Sequence, residues 1–80
     1  MELTEGLIIK STRGHDAGEL FITVKCDERF VYIANGKTRK IAAPKKKNKK
    51  HIIVTEAQKQ NLSELTDKSL RKLINKLKTI

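Results

Sequence analysis

Tryptophan is absent from this 80-residue chain, cysteine and proline occur once each, and Phe21, Phe30 and Tyr32 are its only aromatic residues. A single cysteine excludes an intramolecular disulfide, and a lone thiol fits a reducing compartment. So short a chain buries only about 60–65% of its unfolded surface, which leaves little material for a deep catalytic cleft. No stretch approaches the ~18 apolar residues of a membrane span. The segment Met1-Glu2-Leu3-Thr4-Glu5 is acidic and lacks the apolar run of a signal peptide. The expectation is one small cytoplasmic domain, without membrane association and monomeric when free.

Acidic residues are missing from one region in particular. The chain carries 18 Lys/Arg and 9 Asp/Glu, a net charge of +9. Residues 29–55 hold nine of the bases and none of the acids. Residues 1–28 have three bases against six acids, and residues 56–80 have six against three, so the flanks cancel. An excess confined to one stretch makes a local electrostatic surface, and its commonest partner is a nucleic acid.

What is present reads mainly as short strands. Gly6-Leu7-Ile8-Ile9-Lys10 is apolar and β-branched. After a turn over Ser11–Gly18, Leu20, Ile22, Val24 and Cys26 alternate along a second strand and are expected on one face. Asp27-Glu28-Arg29 is a charged turn. Phe30 to Ala34 is apolar on both faces, with Val31 and Ile33 expected inward. Asn35-Gly36 suits a type I′ turn, which predicts a return strand over Lys37–Ile41. Its register would place Ala34 opposite Lys37, Ile33 opposite Thr38, Tyr32 opposite Arg39 and Val31 opposite Lys40. Pro44 would end that strand, Lys45 to Lys50 would form a solvated loop, and His51 to Val54 would be the last strand. Five closely spaced strands suggest a closed or half-closed barrel.

From Thr55 the period changes. Thr55 and Gln58 have capping-box spacing for a short turn. Thr66 is the expected N-cap of a better helix, with Leu70, Leu73, Ile74 and Leu77 on one stripe and Lys76 and Lys78 near its end. The stripe predicts packing on the strands; the basic residues around it also suit an anionic membrane surface.

Gly14 and Gly18 flank His15, Asp16 and Ala17. This pattern fits a plain strand connection, with Asp16 closing an Asx-turn, or a bare turn that a phosphate approaches closely. The wider order is Gly6, Ile8-Ile9, Ser11, Gly14, Asp16, Gly18, then Phe21-Ile22 and Val24. It resembles a KOW motif. Tyr32-Ile33-Ala34-Asn35-Gly36, Arg39-Lys40-Ile41, Pro44-Lys45-Lys46-Lys47 and Lys50-His51-Ile52 extend the likeness to the short bacterial KOW-domain RNA-binding proteins. Those are similar to KOW-bearing large-subunit ribosomal proteins of archaea and eukaryotes. The resemblance spans about residues 6–55 and implies a five-stranded SH3-like β-barrel (residues 1–55) with ribosomal RNA as partner and ribosomal-protein contacts nearby. It departs from that pattern at His15 and Ala17, where basic residues are expected. Residues 56–80 are then a helical extension packed on the same domain.

The expected phosphate contacts are Arg39, Lys40, Lys45, Lys46, Lys47, Lys49 and Lys50, because lysine neutralises phosphate without reading sequence. Lys37, Arg13, His15, Tyr32 and His51 are secondary candidates. Tyr32 opposite Arg39 would suit an unpaired base, and equally an ordinary cross-strand pair. Nothing points to catalysis, a cofactor or a metal. Cys26 falls at a strand-core position, one cysteine and two histidines lack ligand spacing, and no phosphate-cradling P-loop is present. Two other functions fit the same composition: a protein-interaction module using the helix stripe or a barrel face, and a nonspecific duplex-DNA or polyanion binder.

Overall fold

The computed structural model describes residues 3–56 and 58–78. Five strands, β1 (Ile8–Ser11), β2 (Leu20–Cys26), β3 (Phe30–Ala34), β4 (Lys45–Asn48) and β5 (Ile52–Glu56), are followed by one helix, α1 (Asp67–Lys78). They form a single antiparallel sheet in the order β4-β3-β2-β1-β5.

β2 is the central strand, and its sequence is apolar enough to be buried on both sides. Ile22 pairs with Ile8 on β1 and Ala34 on β3, and these three join Leu70 and Ile74 of α1 in one cluster. Phe21 faces the opposite side, where it packs with Ile9, Val31 and Ile33. The expected inward placement of Val31 and Ile33 is thus observed. Leu20, Ile22 and Val24 share the helix side as expected, but Cys26 packs on the other cluster. The cause is a register shift between Thr23 and Lys25, which flips the side on which later residues fall. At the shift, the buried Thr23 hydroxyl donates to the Thr4 carbonyl (2.7 Å) and accepts from the Leu7 amide (2.9 Å), so no polar atom is left unpaired there.

The sheet curls without closing. β4 and β5 are its two edges, yet only the 3-10 turn Lys49–His51 joins them. A flat five-stranded sheet would separate its edges by about 19 Å. Three linking residues reach about 14 Å even fully extended. The curl brings Ile52 and Val54 of β5 onto the Phe21 cluster.

The fourth strand differs from the sequence expectation. Residues 37–41 are not a strand, and Lys45–Asn48 is not a loop. Asn35 does not take positive φ, which a type I′ turn requires; among these residues only Gly36 does (76°). The Asn35 side chain instead accepts hydrogen bonds from the Lys37 and Arg39 amides (both 2.9 Å) and donates to Thr38. This local knot turns the chain off the sheet toward α1. There the Ile41 amide donates to the Asp67 carboxylate (2.8 Å), and the Ile41 side chain packs on the helix-side cluster. β4 then pairs with β3, placing Lys47 opposite Val31, Lys46 opposite Tyr32 and Lys45 opposite Ile33. Pro44 directly precedes this edge strand, where its missing donor costs nothing.

α1 follows the expected pattern. The Thr66 hydroxyl accepts from the Ser69 amide (3.1 Å), and the Ser69 hydroxyl accepts from the Thr66 amide (2.9 Å), a reciprocal cap with serine as the return partner. Leu70 and Ile74 are buried, and Leu73 and Leu77 pack beside them. Thr55 lies within β5, and its hydroxyl donates to the Ile8 carbonyl; the turn expected from Thr55 to Gln58 runs through residue 57, outside the described residues. The short turn in this region, Leu62–Glu64, is capped by Asn61.

Candidate nucleic-acid interface

Strand alternation divides the lysines of β4. Lys45 and Lys47 point one way and Lys46 the other. The first two converge on Asp16: the Lys45 and Lys47 ammonium groups lie 2.9 and 2.8 Å from its carboxylate oxygens. Ser11 donates to the same carboxylate (2.7 Å), and Lys47 also donates to the Arg13 carbonyl (2.5 Å). Lys47 is only 8% exposed. Burial alone would push the Asp16 carboxyl up, but the bonds from Lys47, Lys45 and Ser11 outweigh it and hold the group far below the usual carboxylate range. Asp16 therefore closes no Asx-turn. It pins the glycine-bearing turn to β4, with Gly14 and Gly18 supplying the positive φ the turn needs. Lys47 is a structural cation and not a surface one, and Lys45 is half-committed to the same carboxylate. Arg13 and His15 stay exposed on the pinned turn.

On the other side of β3 the aromatics interleave with cations. The Lys46 ammonium sits 4.2 Å from the centre of the Phe30 ring, and the Lys25 ammonium 5.7 Å from that of Tyr32. Lys46 is directly opposite Tyr32 across the ladder, so the tyrosine's cross-strand partner is Lys46 and not Arg39. α1 covers this side of the sheet at Ala34 and Ile22, which leaves Phe30 and Tyr32 half-exposed beyond it.

The turn between β2 and β3 sets the edge of this platform. The Asp27 carboxylate accepts from the Phe30 amide (2.8 Å), the Arg29 amide (3.0 Å) and the Tyr32 hydroxyl (3.4 Å). The Phe30 amide is the main reason its carboxyl is held below the ordinary value. Next to this turn, Arg29, Asn48, Lys49 and Lys50 line a shallow depression with Glu28. The Lys49 amide donates to the Arg29 carbonyl (3.1 Å), and Asn48 caps the 3-10 turn by accepting from the Lys50 amide. These bonds fix the backbone from which both lysines project. His51 is half-buried in the same turn, and its carbonyl accepts from Thr12.

The remaining candidates, Lys37, Arg39 and Lys40, are exposed on the loop between β3 and β4. Lys40 reaches the Gly36 carbonyl (3.2 Å). Sequence reasoning thus named Tyr32, Lys46, Lys49 and Lys50 but missed Lys25, Arg29 and Phe30. Only the Thr23–Lys25 register shift puts Lys25 beside Tyr32, and Phe30 gains its role from a strand pairing with no local signal. Cys26 is half-buried, and burial pushes its thiol up. Among the described residues no group of histidine, cysteine and carboxylate side chains has the arrangement of a metal site, and no helix is long and apolar enough to cross a membrane. No protein-family model matches the chain, and no curated protein matches it.

Proposed function

We propose that this protein is a non-catalytic RNA-binding module whose platform of Phe30 and Tyr32, flanked by Lys25 and Lys46, stacks unpaired bases. Arg29, Lys49 and Lys50 at its edge meet phosphates. The observation that carries this reading is the alternation of rings and ammonium groups on a half-exposed sheet face, where Phe30, Tyr32 and Lys46 of the acid-free 29–55 stretch are joined by Lys25 from β2. Aromatic faces accept any base, and lysine accepts any phosphate, so the platform favours single-stranded or looped RNA over duplex DNA. Large-subunit ribosomal RNA is the target that the KOW resemblance adds. An SH3-like barrel is the fold it adds. The curl, the strand order and the single 3-10 turn between β4 and β5 support that architecture. The helix stripe supports neither membrane nor protein docking, because Leu70 and Ile74 are spent in the core.

The test is binding of a fluorescent single-stranded oligonucleotide by the parent chain and by Tyr32→Ala. Stacking is worth about 1–3 kcal/mol per base, so affinity should fall roughly 5- to 150-fold. The thermal midpoint should stay nearly unchanged, since Tyr32 is half-exposed. Equal affinities would remove the platform. Sedimentation of the tagged chain with ribosomal subunits at graded salt checks the ribosomal target, which is excluded if the chain stays free even at low salt.

A further inference from the structure

A second basic surface lies where β3 runs out. The loop after β3 and one side of α1 enclose a groove of about 420 Å³, lined by Asn35, Lys37, Lys40, Arg71, Asn75 and Lys78, together with Glu19 and apolar Leu20 and Ile74. Its size falls in the range of ligand clefts, about 300–1,000 Å³, but its walls are cations and amides. Arg71 and Lys40 are held side by side because both donate to one oxygen, the Gly36 carbonyl, at 2.6 and 3.2 Å. Among the described residues the ion pairs are those of Asp16 with Lys45 and Lys47, so none of the groove cations has a carboxylate partner. Four cations held together against one unpaired carboxylate, Glu19, leave a net positive groove that suits an anion. Gly36 is part of the device: a side chain there would run into the Asp67 carbonyl of α1 and separate loop from helix.

We propose that this groove receives the phosphate backbone of the same RNA strand whose bases stack on Phe30 and Tyr32. This rests on the RNA-binding reading above. Asn35 directly follows β3 and lies three residues beyond Tyr32, about 10 Å of extended chain, so the strand that carries the platform leads to the groove wall. The platform takes bases and the groove takes backbone. Together they set a site longer than the platform alone, with α1 as a working part of the interface.

The experiment is an NMR titration of the full chain with oligouridylates of four and ten nucleotides, followed on the Tyr32 ring and on the side-chain N–H signals of Asn75 and Arg71. The tetramer should shift Tyr32 only, and the decamer should shift all three. Lys37→Gln/Lys78→Gln replaces two exposed side chains and should lower the decamer's log–log salt slope by about 1.4, at about 0.7 per contact on a single strand. The tetramer's slope should not change. If the decamer shifts Tyr32 and leaves Asn75 and Arg71 unmoved, the groove proposal falls and the platform stands. If neither oligonucleotide shifts any of them, both fall. If a polyglutamate peptide shifts Asn75 and Arg71 while the decamer does not, the groove belongs to an acidic protein partner.

Discussion

Asp16 decides what two of the nine bases in the 29–55 stretch are able to do. It neutralises Lys47 in a nearly buried position and ties Lys45 beside it, so one carboxylate converts binding charges into structural ones. Removing one partner of a buried ion pair strands the other, at a cost of about 3–5 kcal/mol. Asp16→Asn keeps the shape and removes the charge. Its thermal midpoint should therefore drop by more than 10 °C, at about 4–8 °C per kcal/mol for a domain of this size. A variant that melts with the parent would show that the glycine turn is held by something else. The same pair sets an acid limit. The Asp16 pKa lies below its ordinary value of 3.8 in the folded state, so its stabilisation is complete above about pH 4. It is lost as pH falls through the folded-state value. Urea midpoints should be flat from pH 7 to about 5 and decline below 4. The decline should be shallower in Asp16→Asn, where Asp27, also held below its ordinary value, and any other stabilised carboxylates remain.

At the scale of elements, what was legible in the sequence is what local information decides. β2 and β3 announce themselves by apolar residues between turn residues, and α1 by its cap and its four-residue stripe. β4 does not, because the reason a Lys-Lys-Lys-Asn segment becomes a strand lies 29–31 residues away, at Asp16. The Asn-Gly pair misleads for a related reason. Locally it suits a hairpin, but the packing of half-buried Ile41 on the helix-side cluster and the bond from its amide to Asp67 hold the loop on a helix that begins 26 residues later. Gly36 is required in either geometry. Here its positive φ is joined by a steric demand, since a Cβ would meet the Asp67 carbonyl. Gly36→Val should destabilise the fold by more than the roughly 1 kcal/mol of backbone strain alone, and the Ile41 amide, which donates to the Asp67 carboxylate, should be among the first to lose protection in hydrogen exchange. Retention of parent-like exchange at the Ile41 amide would contradict the docking of this loop on α1. The candidate site was legible in composition and illegible in detail: the bases of 29–55 were countable, but their division into buried, ring-bound and free members follows from a pairing that only the fold supplies.

At the scale of the whole molecule, that division changes the electrostatics of binding. The sequence alone offers all five of Lys45, Lys46, Lys47, Lys49 and Lys50 to phosphate. In the fold, Lys47 is withdrawn, while Lys25 and Arg29 join the platform from outside the lysine run. With Lys25, Arg29, Lys46, Lys49 and Lys50 engaged, each contact releases about 0.7 of a counterion from a single strand, so log K should fall with log salt with a slope of about −3.5. Filling the groove with Lys37, Lys40, Arg71 and Lys78 would steepen it to about −6 for a long strand. A slope near zero would mean that apolar docking dominates and would favour a protein partner. The sharper comparison is between two lysines three residues apart. Lys50→Gln removes an exposed charge and should lower the slope by about 0.7 with no loss of stability. Lys47→Gln removes a charge that Asp16 already cancels; it should lower the melting midpoint and leave the slope of the folded protein where it was. Equal slopes for the two variants would mean that RNA competes with Asp16 for Lys47, and that the pinned turn opens on binding.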